Sequence, residues 1–325
     1  MRRWLPVRLV LLAVSGLLSL ACAMLVGAAI AQAPSGPDAF QVELVPDQEP
    51  ITHLSGPPDA DPLKLALGET LFSDTRLSAD GTLACVSCHD IHSNGAGSGR
   101  PARDGSKPPF DTLSIFNASL NFRLDWRGKF RELAAQAEAS LENPLYMKTS
   151  ADEVALKLNH DPKLVADFLA AYGRAPDREN VLDALVTFER SLVTPGSRFD
   201  RWLGGDASAL SASELEGYRL FKSFGCSSCH QGRNVGGNLF ERQGVFHPLV
   251  RGPPEIVRVP SLRNVAATAP YFHDGSAATL QDAVRRMARA QLDRTLTDPQ
   301  IESIVGFLQT LTGNYRGSPV TGAPR

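Results

Sequence analysis

The chain has 325 residues, 43% hydrophobic and 21% charged, with 33 Lys+Arg against 35 Asp+Glu and a formal net charge of −2. That is enough apolar material for a globular core of about two domains, which excludes a wholly disordered chain. The near-balanced charge, with no basic stripe, gives nucleic acid nothing to bind.

Arg2, Arg3 and Arg8 precede an uncharged apolar stretch, 9–31, that ends in Ala29-Ile30-Ala31 and Ala31-Gln32-Ala33. Residues 1–33 therefore read as a secretory signal, so the mature protein is expected to be exported. The stretch is also long enough to span a bilayer, so an uncleaved membrane anchor is the alternative. Residues 34–60, rich in Pro, Asp and Gly, read as an extended lead-in.

From Asp61 the pattern turns helical, with Leu63, Leu65, Leu67, Leu71 and Phe72 as its apolar face. The segment 94–109 is a polar loop. Helices are predicted over 129–142, 151–159, 162–172 and 178–192, with breaks at Pro195-Gly196 and Gly204-Gly205. A second unit opens at Ser211, where Ser211-x-x-Glu214 fits a capping box and Leu215, Tyr218, Phe221 and Phe224 form a stripe. The segment 231–260 reads as irregular, and helices over 279–290 and 299–311 close the chain. Strand signals are few. Leu67-Gly68…Leu71-Phe72 and Gly217…Leu220-Phe221 form a weak internal repeat.

Five cysteines are present, and only Cys22 lies in the signal. The other four fall in two copies of one motif, Cys85-Val86-Ser87-Cys88-His89 and Cys226-Ser227-Ser228-Cys229-His230. C-x-x-C-H reads as c-type haem attachment: both sulfurs bond the porphyrin edge and the adjoining histidine ligates iron. A thioredoxin-like dithiol would not need the histidine. A four-cysteine zinc site would join pairs with 137 residues between Cys88 and Cys226 and leave both histidines unexplained. The fold class expected is mostly α, with two c-type cytochrome domains (61–205 and 206–317), each around one covalently bound haem, long irregular loops, and a tail at 318–325. The sixth iron ligands are not set by position, because Met147, Met287, His53, His92, His160, His247 and His273 all remain available.

From residue 66 to 313 the chain resembles the bacterial di-haem cytochrome c peroxidases and the related MauG proteins. The strings that carry the likeness are Val259-Pro260-Ser261-Leu262-Arg263-Asn264, Ala269-Pro270-Tyr271-Phe272-His273-Asp274-Gly275, Met287, Phe188-Glu189-Arg190-Ser191-Leu192 and Phe199-Asp200-Arg201. The resemblance implies an oxidoreductase that reduces hydrogen peroxide to water at the His89 haem. Electrons would come from a small c-type cytochrome through a His230/Met287 haem, with Met287 placed 14 residues after His273. It implies that Trp126 relays electrons between the haems, that Gln136 is a catalytic residue, and that calcium is held by Asp111 with the carbonyls of Thr268 and Pro270. Family members are often homodimers.

Two departures qualify it. The family's catalytic Glu, ten residues after the Gln, falls on Tyr146, a poor base with an ordinary pKa of about 10. Glu138 or Glu142 would substitute only if the helix were shifted. The histidine that many members carry in the loop after the first motif has no counterpart between 94 and 159, and His92 is only three residues past His89. A MauG-like enzyme oxidising a protein substrate and a non-catalytic electron carrier or sensor are the alternatives.

Overall fold

A computed structural model describes residues 49–97, 102–108, 110–250 and 252–322. The expected signal or anchor and most of the lead-in lie outside the described residues. Among those described, no helix is long and apolar enough to cross a membrane.

The structure is mostly helical, with a few very short strands. The first helix, α1 (Pro62–Phe72), starts where the Asp61 carboxylate accepts the amides of Leu63 and Lys64 and Pro62 cannot donate. It buries Leu67, Leu71 and Phe72, whereas Leu63 is 52% exposed and leaves the expected face. Next come α2 (Leu133–Glu142), α3 (Ala151–Leu158), α4 (Pro162–Tyr172) and α5 (Arg178–Ser191). Capping boxes at Ser150/Glu153 and Asp177/Asn180 set the starts of α3 and α5. The short α6 (Arg198–Leu203), capped by Ser197, occupies the stretch between the two predicted breaks. Then follow α7 (Ala212–Ser223), the hairpin β1 (Phe240–Arg242) with β2 (Ile256–Arg258), α8 (Leu280–Leu292) and α9 (Asp298–Gln309). A final pair, β3 (Asn314–Tyr315) with β4 (Ser318–Pro319), ends the described chain.

Two buried clusters organise these elements. In the first, α1 crosses α5, and Phe72 meets Phe188 at 5.2 Å between ring centroids. In the second, α7 crosses α9, and Phe199, Trp202, Tyr218 and Phe307 pack ring to ring. Both crossings depend on one glycine. A Cβ on Gly68 would run into the Ala184 carbonyl, and one on Gly217 into the Ser303 carbonyl. The weak sequence repeat is thus a repeated helix crossing.

The repeat extends further than its sequence suggests. Residues 124–130 and 271–277 form matching loops, closed by the bridges Leu124↔Phe130 and Tyr271↔Ala277. Each has left-handed residues at its second and fifth positions, Asp125 (φ 65°) with Gly128 (φ 64°) and Phe272 (φ 70°) with Gly275 (φ 68°). This bridge explains why α2 begins at Leu133 rather than 129: Phe130 is still pairing with Leu124. Asn117 and Asn264 also match, both left-handed and both donating a side-chain amide to the Thr194 hydroxyl, at 2.8 and 2.9 Å.

The lead-in is tied down. Ile51 and Leu54 are buried, Ile51 in the second cluster, and the Leu54 amide donates to Asp200 at 3.0 Å. Residues beyond 317, read from sequence only as a tail, return to the first cluster, where Val320 is buried.

Candidate functional site

Each C-x-x-C-H motif forms one tight turn, Cys85–Ser87 and Cys226–Ser228, in which the histidine amide donates to the first cysteine's carbonyl (2.9 Å for His89, 3.0 Å for His230). One turn therefore puts two sulfurs and an imidazole side by side. None of the four sulfurs is in a disulfide. Burial pushes the Cys85 thiol up to about 12 and Cys226 to about 11, so neither is a reactive thiolate of the kind a redox dithiol needs.

The two imidazoles are held in matching cages. His89 Nδ1 lies 3.1 Å from the Gly95 carbonyl, a hydrogen bond that the Nδ1–H tautomer donates, leaving Nε2 as the ligating nitrogen. The Leu113 carbonyl also faces this ring. The Val235 and Pro260 carbonyls face the buried His230 ring, though its Nδ1 stops short of a hydrogen bond with either. Burial lowers both imidazole pKa values, His230 to about 4, so both rings are neutral as metal ligation requires. These turns fit covalently held haem. They do not fit the four-cysteine zinc alternative: Cys85 packs on the first cluster and Cys226 on the second, and among the described residues no metal-holding group joins the two pairs.

Between the repeats stands Trp126. Its indole Nε1 donates to the Asp111 carbonyl at 2.8 Å, and its ring meets His273 edge-on at 6.2 Å. Asp111 in turn donates its amide to the His273 carbonyl at 2.6 Å. The Trp126 carbonyl accepts the amide of Arg258, two residues before the Pro260 that faces His230. Arg258 is only 3% exposed and gives Nε to the Asp125 carbonyl at 3.1 Å. Burial raises the Asp111 carboxyl to about 6, and the nearby Asp274 carboxylate adds to the rise. Thr268 and Pro270 lie just upstream of His273 on the same strand of chain.

On α2, Gln136 Nε2 donates to Ser140 Oγ at 2.9 Å. Tyr146 follows three residues after the Asn143 that ends the helix, packs against the first cluster, and has its phenol pKa raised by burial and by the neighbouring Cys88. It is therefore a hydrogen-bond donor, not a base. Its carbonyl accepts Arg103 Nε, and Arg103 also pairs with Asp80. Glu138 is chelated by Arg178 through two 2.7 Å bonds, and Glu142 is exposed at the helix end.

Met287 is half-buried on α8, one turn beyond the buried Ala283 and two beyond Leu280, a single helix face. His53, His92 and His160 are exposed, and His247 pairs with Asp293 at 2.7 Å. Sequence reasoning missed Ser140, Arg258, the Asn117–Thr194–Asn264 clasp and Glu189. The Glu189 carboxyl is 6% exposed with Oε2 unpartnered, and burial raises it to about 8.

The family model described as di-haem cytochrome c peroxidase matches residues 62–208. The cytochrome c551 peroxidase of Nitrosomonas europaea is 38% identical over 289 residues, covering 82% of this chain and 85% of its own. The cytochrome c peroxidase Ccp of Escherichia coli K12 is 37% identical over 82% of this chain, which spans 62% of that longer relative. A solved MauG-like protein associated with microbial copper homeostasis superposes with a TM-score of 0.68 at 26% identity, covering 80% of this chain and 94% of its own.

Proposed function

The chain belongs to the di-haem cytochrome c peroxidase family, and we propose that it reduces hydrogen peroxide to water in the periplasm with electrons from a small c-type cytochrome. The observation that carries the reading is the doubled C-x-x-C-H turn, one copy in each repeat, with a neutral, caged imidazole in each. When bound, the two haems supply one-electron storage and a site for peroxide.

The chain's own residues then divide the work. Cys85 and Cys88, and Cys226 and Cys229, hold the two porphyrins. His89, through Nε2, and His230 would ligate the two irons. Met287 would ligate the second iron and raise its potential, which would make that site the entry point for electrons. Trp126, in contact with segments from both repeats, lies on the path between them. Gln136 orients peroxide at the first site, and Tyr146 donates a hydrogen bond there while its own proton stays at Oη.

Calcium at Asp111, completed by the carbonyls of Thr268 and Pro270, would offset the buried charge that Asp111 and Asp274 bring together. It would brace the Asp111 contacts with Trp126 and His273.

Tyr146 in the place of a carboxylate favours a second reading, a MauG-like enzyme that uses peroxide to oxidise a protein residue; Met287 weighs against it. Steady-state peroxide consumption with reduced cytochrome c decides. Turnover coupled to cytochrome oxidation is expected, and peroxide loss no faster than with free haem would end the peroxidase reading.

A further inference from the structure

The matching loops set a register between the two repeats. From the loop closures to the helices that follow, the offset is a constant 147 residues: 271 against 124, 277 against 130, and the helix starts at 280 against 133. The same offset relates Asn264 to Asn117, and Pro260 to Leu113, whose carbonyls face the two motif histidines. It sets Ala288 on α8 against Leu141 on α2, both buried. It also sets Met287 against Ser140.

We propose that Ser140, at the register where the second repeat carries Met287, faces the peroxide-binding side of the His89 haem and gives its hydroxyl hydrogen bond to bound peroxide. The inference rests on the di-haem peroxidase reading and deepens it. A thioether is an effective sixth ligand to haem iron, and a serine hydroxyl is not. The single exchange of Met for Ser at one register position thus leaves one site saturated and the other open to substrate.

The hydrogen bonding fits. Gln136 Nε2 donates to Ser140 Oγ at 2.9 Å, which occupies a serine lone pair and leaves the O–H free to donate elsewhere. In the second repeat the register places Ala283 and Met287 where Gln136 and Ser140 stand here, so the polar pair belongs to the first site alone. In the reaction, HOOH takes two electrons and two protons, the O–O bond breaks, and two waters leave. The electrons come from the donor cytochrome. Ser140 Oγ–H hands a proton to the departing oxygen as the hydroxyl takes another from solvent, and the second proton comes from solvent directly. The hydroxyl stays neutral between turnovers, so it relays rather than acts as a resident base.

Two variants of the haem-loaded protein test this, with haem content and helical circular dichroism checked first. Ser140→Met should convert the first haem to a His/Met site. Electron paramagnetic resonance of the oxidised protein should then show two low-spin irons in place of one high-spin and one low-spin, with peroxide turnover lost. Ser140→Ala, a favourable helix substitution, should keep the high-spin signal and lower kcat for peroxide at least tenfold, with Ser140→Thr recovering most of it. A high-spin haem persisting in Ser140→Met, or wild-type kcat in Ser140→Ala, overturns the assignment while leaving the peroxidase reading intact. Two low-spin haems in the unmodified protein would overturn the open first site and with it this assignment, whereas absence of peroxide turnover in the unmodified protein would overturn the peroxidase reading itself.

Discussion

Asp200 and Arg263 form an ion pair with no access to water, at 0% and 1% side-chain exposure. Two bonds of 2.9 and 3.0 Å join them. Asp200 also accepts the Leu54 amide and the Ser197 hydroxyl, while Arg263 reaches the carbonyls of Arg233 and Thr52. One pair therefore ties the lead-in, α6 and the turn just after His230. Burial works against the Arg263 charge, and Asp200 is what opposes that effect. Asp200→Asn keeps the shape but strands the guanidinium. Breaking a buried pair in this way costs about 3–5 kcal/mol, a large part of the ~5–15 kcal/mol that stabilises a domain. Urea unfolding of the haem-loaded protein should show the midpoint falling accordingly with little change in slope. Proteolysis within residues 49–56 should also accelerate. Replacing both partners, Asp200→Leu with Arg263→Met, should recover part of the loss, because the stranded charge is gone while the Leu54 amide and the Ser197 hydroxyl lose their acceptor. A single-variant cost under about 1 kcal/mol, or a double variant as unstable as the single, would refute the reasoning.

Gly217→Ala should destabilise the α7–α9 crossing by about 1–3 kcal/mol or more, since the obstacle is the Ser303 backbone, and thermal unfolding would show it. Gly68→Ala should do the same at α1–α5. Met287→Ala should lower the potential of the second haem and alter its ligand-field band in a spectroelectrochemical titration; no change in either would remove Met287 as a ligand. Glu189 keeps its proton in the folded state up to about pH 8, whereas the unfolded chain releases it near 4.5. The folded state thus binds more protons between those values, so this group's contribution falls as pH rises through the window and is fully present only below it. The fall is at most about 5 kcal/mol. Glu189→Gln should flatten stability against pH over that range, and an unchanged slope would contradict the burial argument.

Much of this was legible in the sequence, for reasons that differ by residue. Helix starts at Pro62, Ala151 and Ala212 follow local capping groups, Asp61, Ser150 and Ser211, that need no tertiary context. The two C-x-x-C-H turns are likewise local. What was hidden depends on contacts distant in sequence. Leu63 fits the apolar face on periodicity but lies beyond the α5 crossing. Ile51 lies in a stretch with no periodicity and is buried only because the second cluster covers it. α6 was missed between two breaks although Ser197 and Asp200 spell a capping box. The 147-residue register is carried by left-handed backbone at Asn117, Asp125, Asn264 and Phe272, and in side-chain identity only the Asn117/Asn264 and Gly128/Gly275 pairs of these loops repeat. Without it, Ser140 is an ordinary exposed helix serine.

The claim on which everything else depends is that two haems are covalently attached through Cys85/Cys88 and Cys226/Cys229. Intact mass measurement on denatured protein tests it directly. The account predicts a polypeptide carrying the mass of two haems, falling to one when either cysteine pair is replaced by alanine; a mass equal to the bare polypeptide would contradict it.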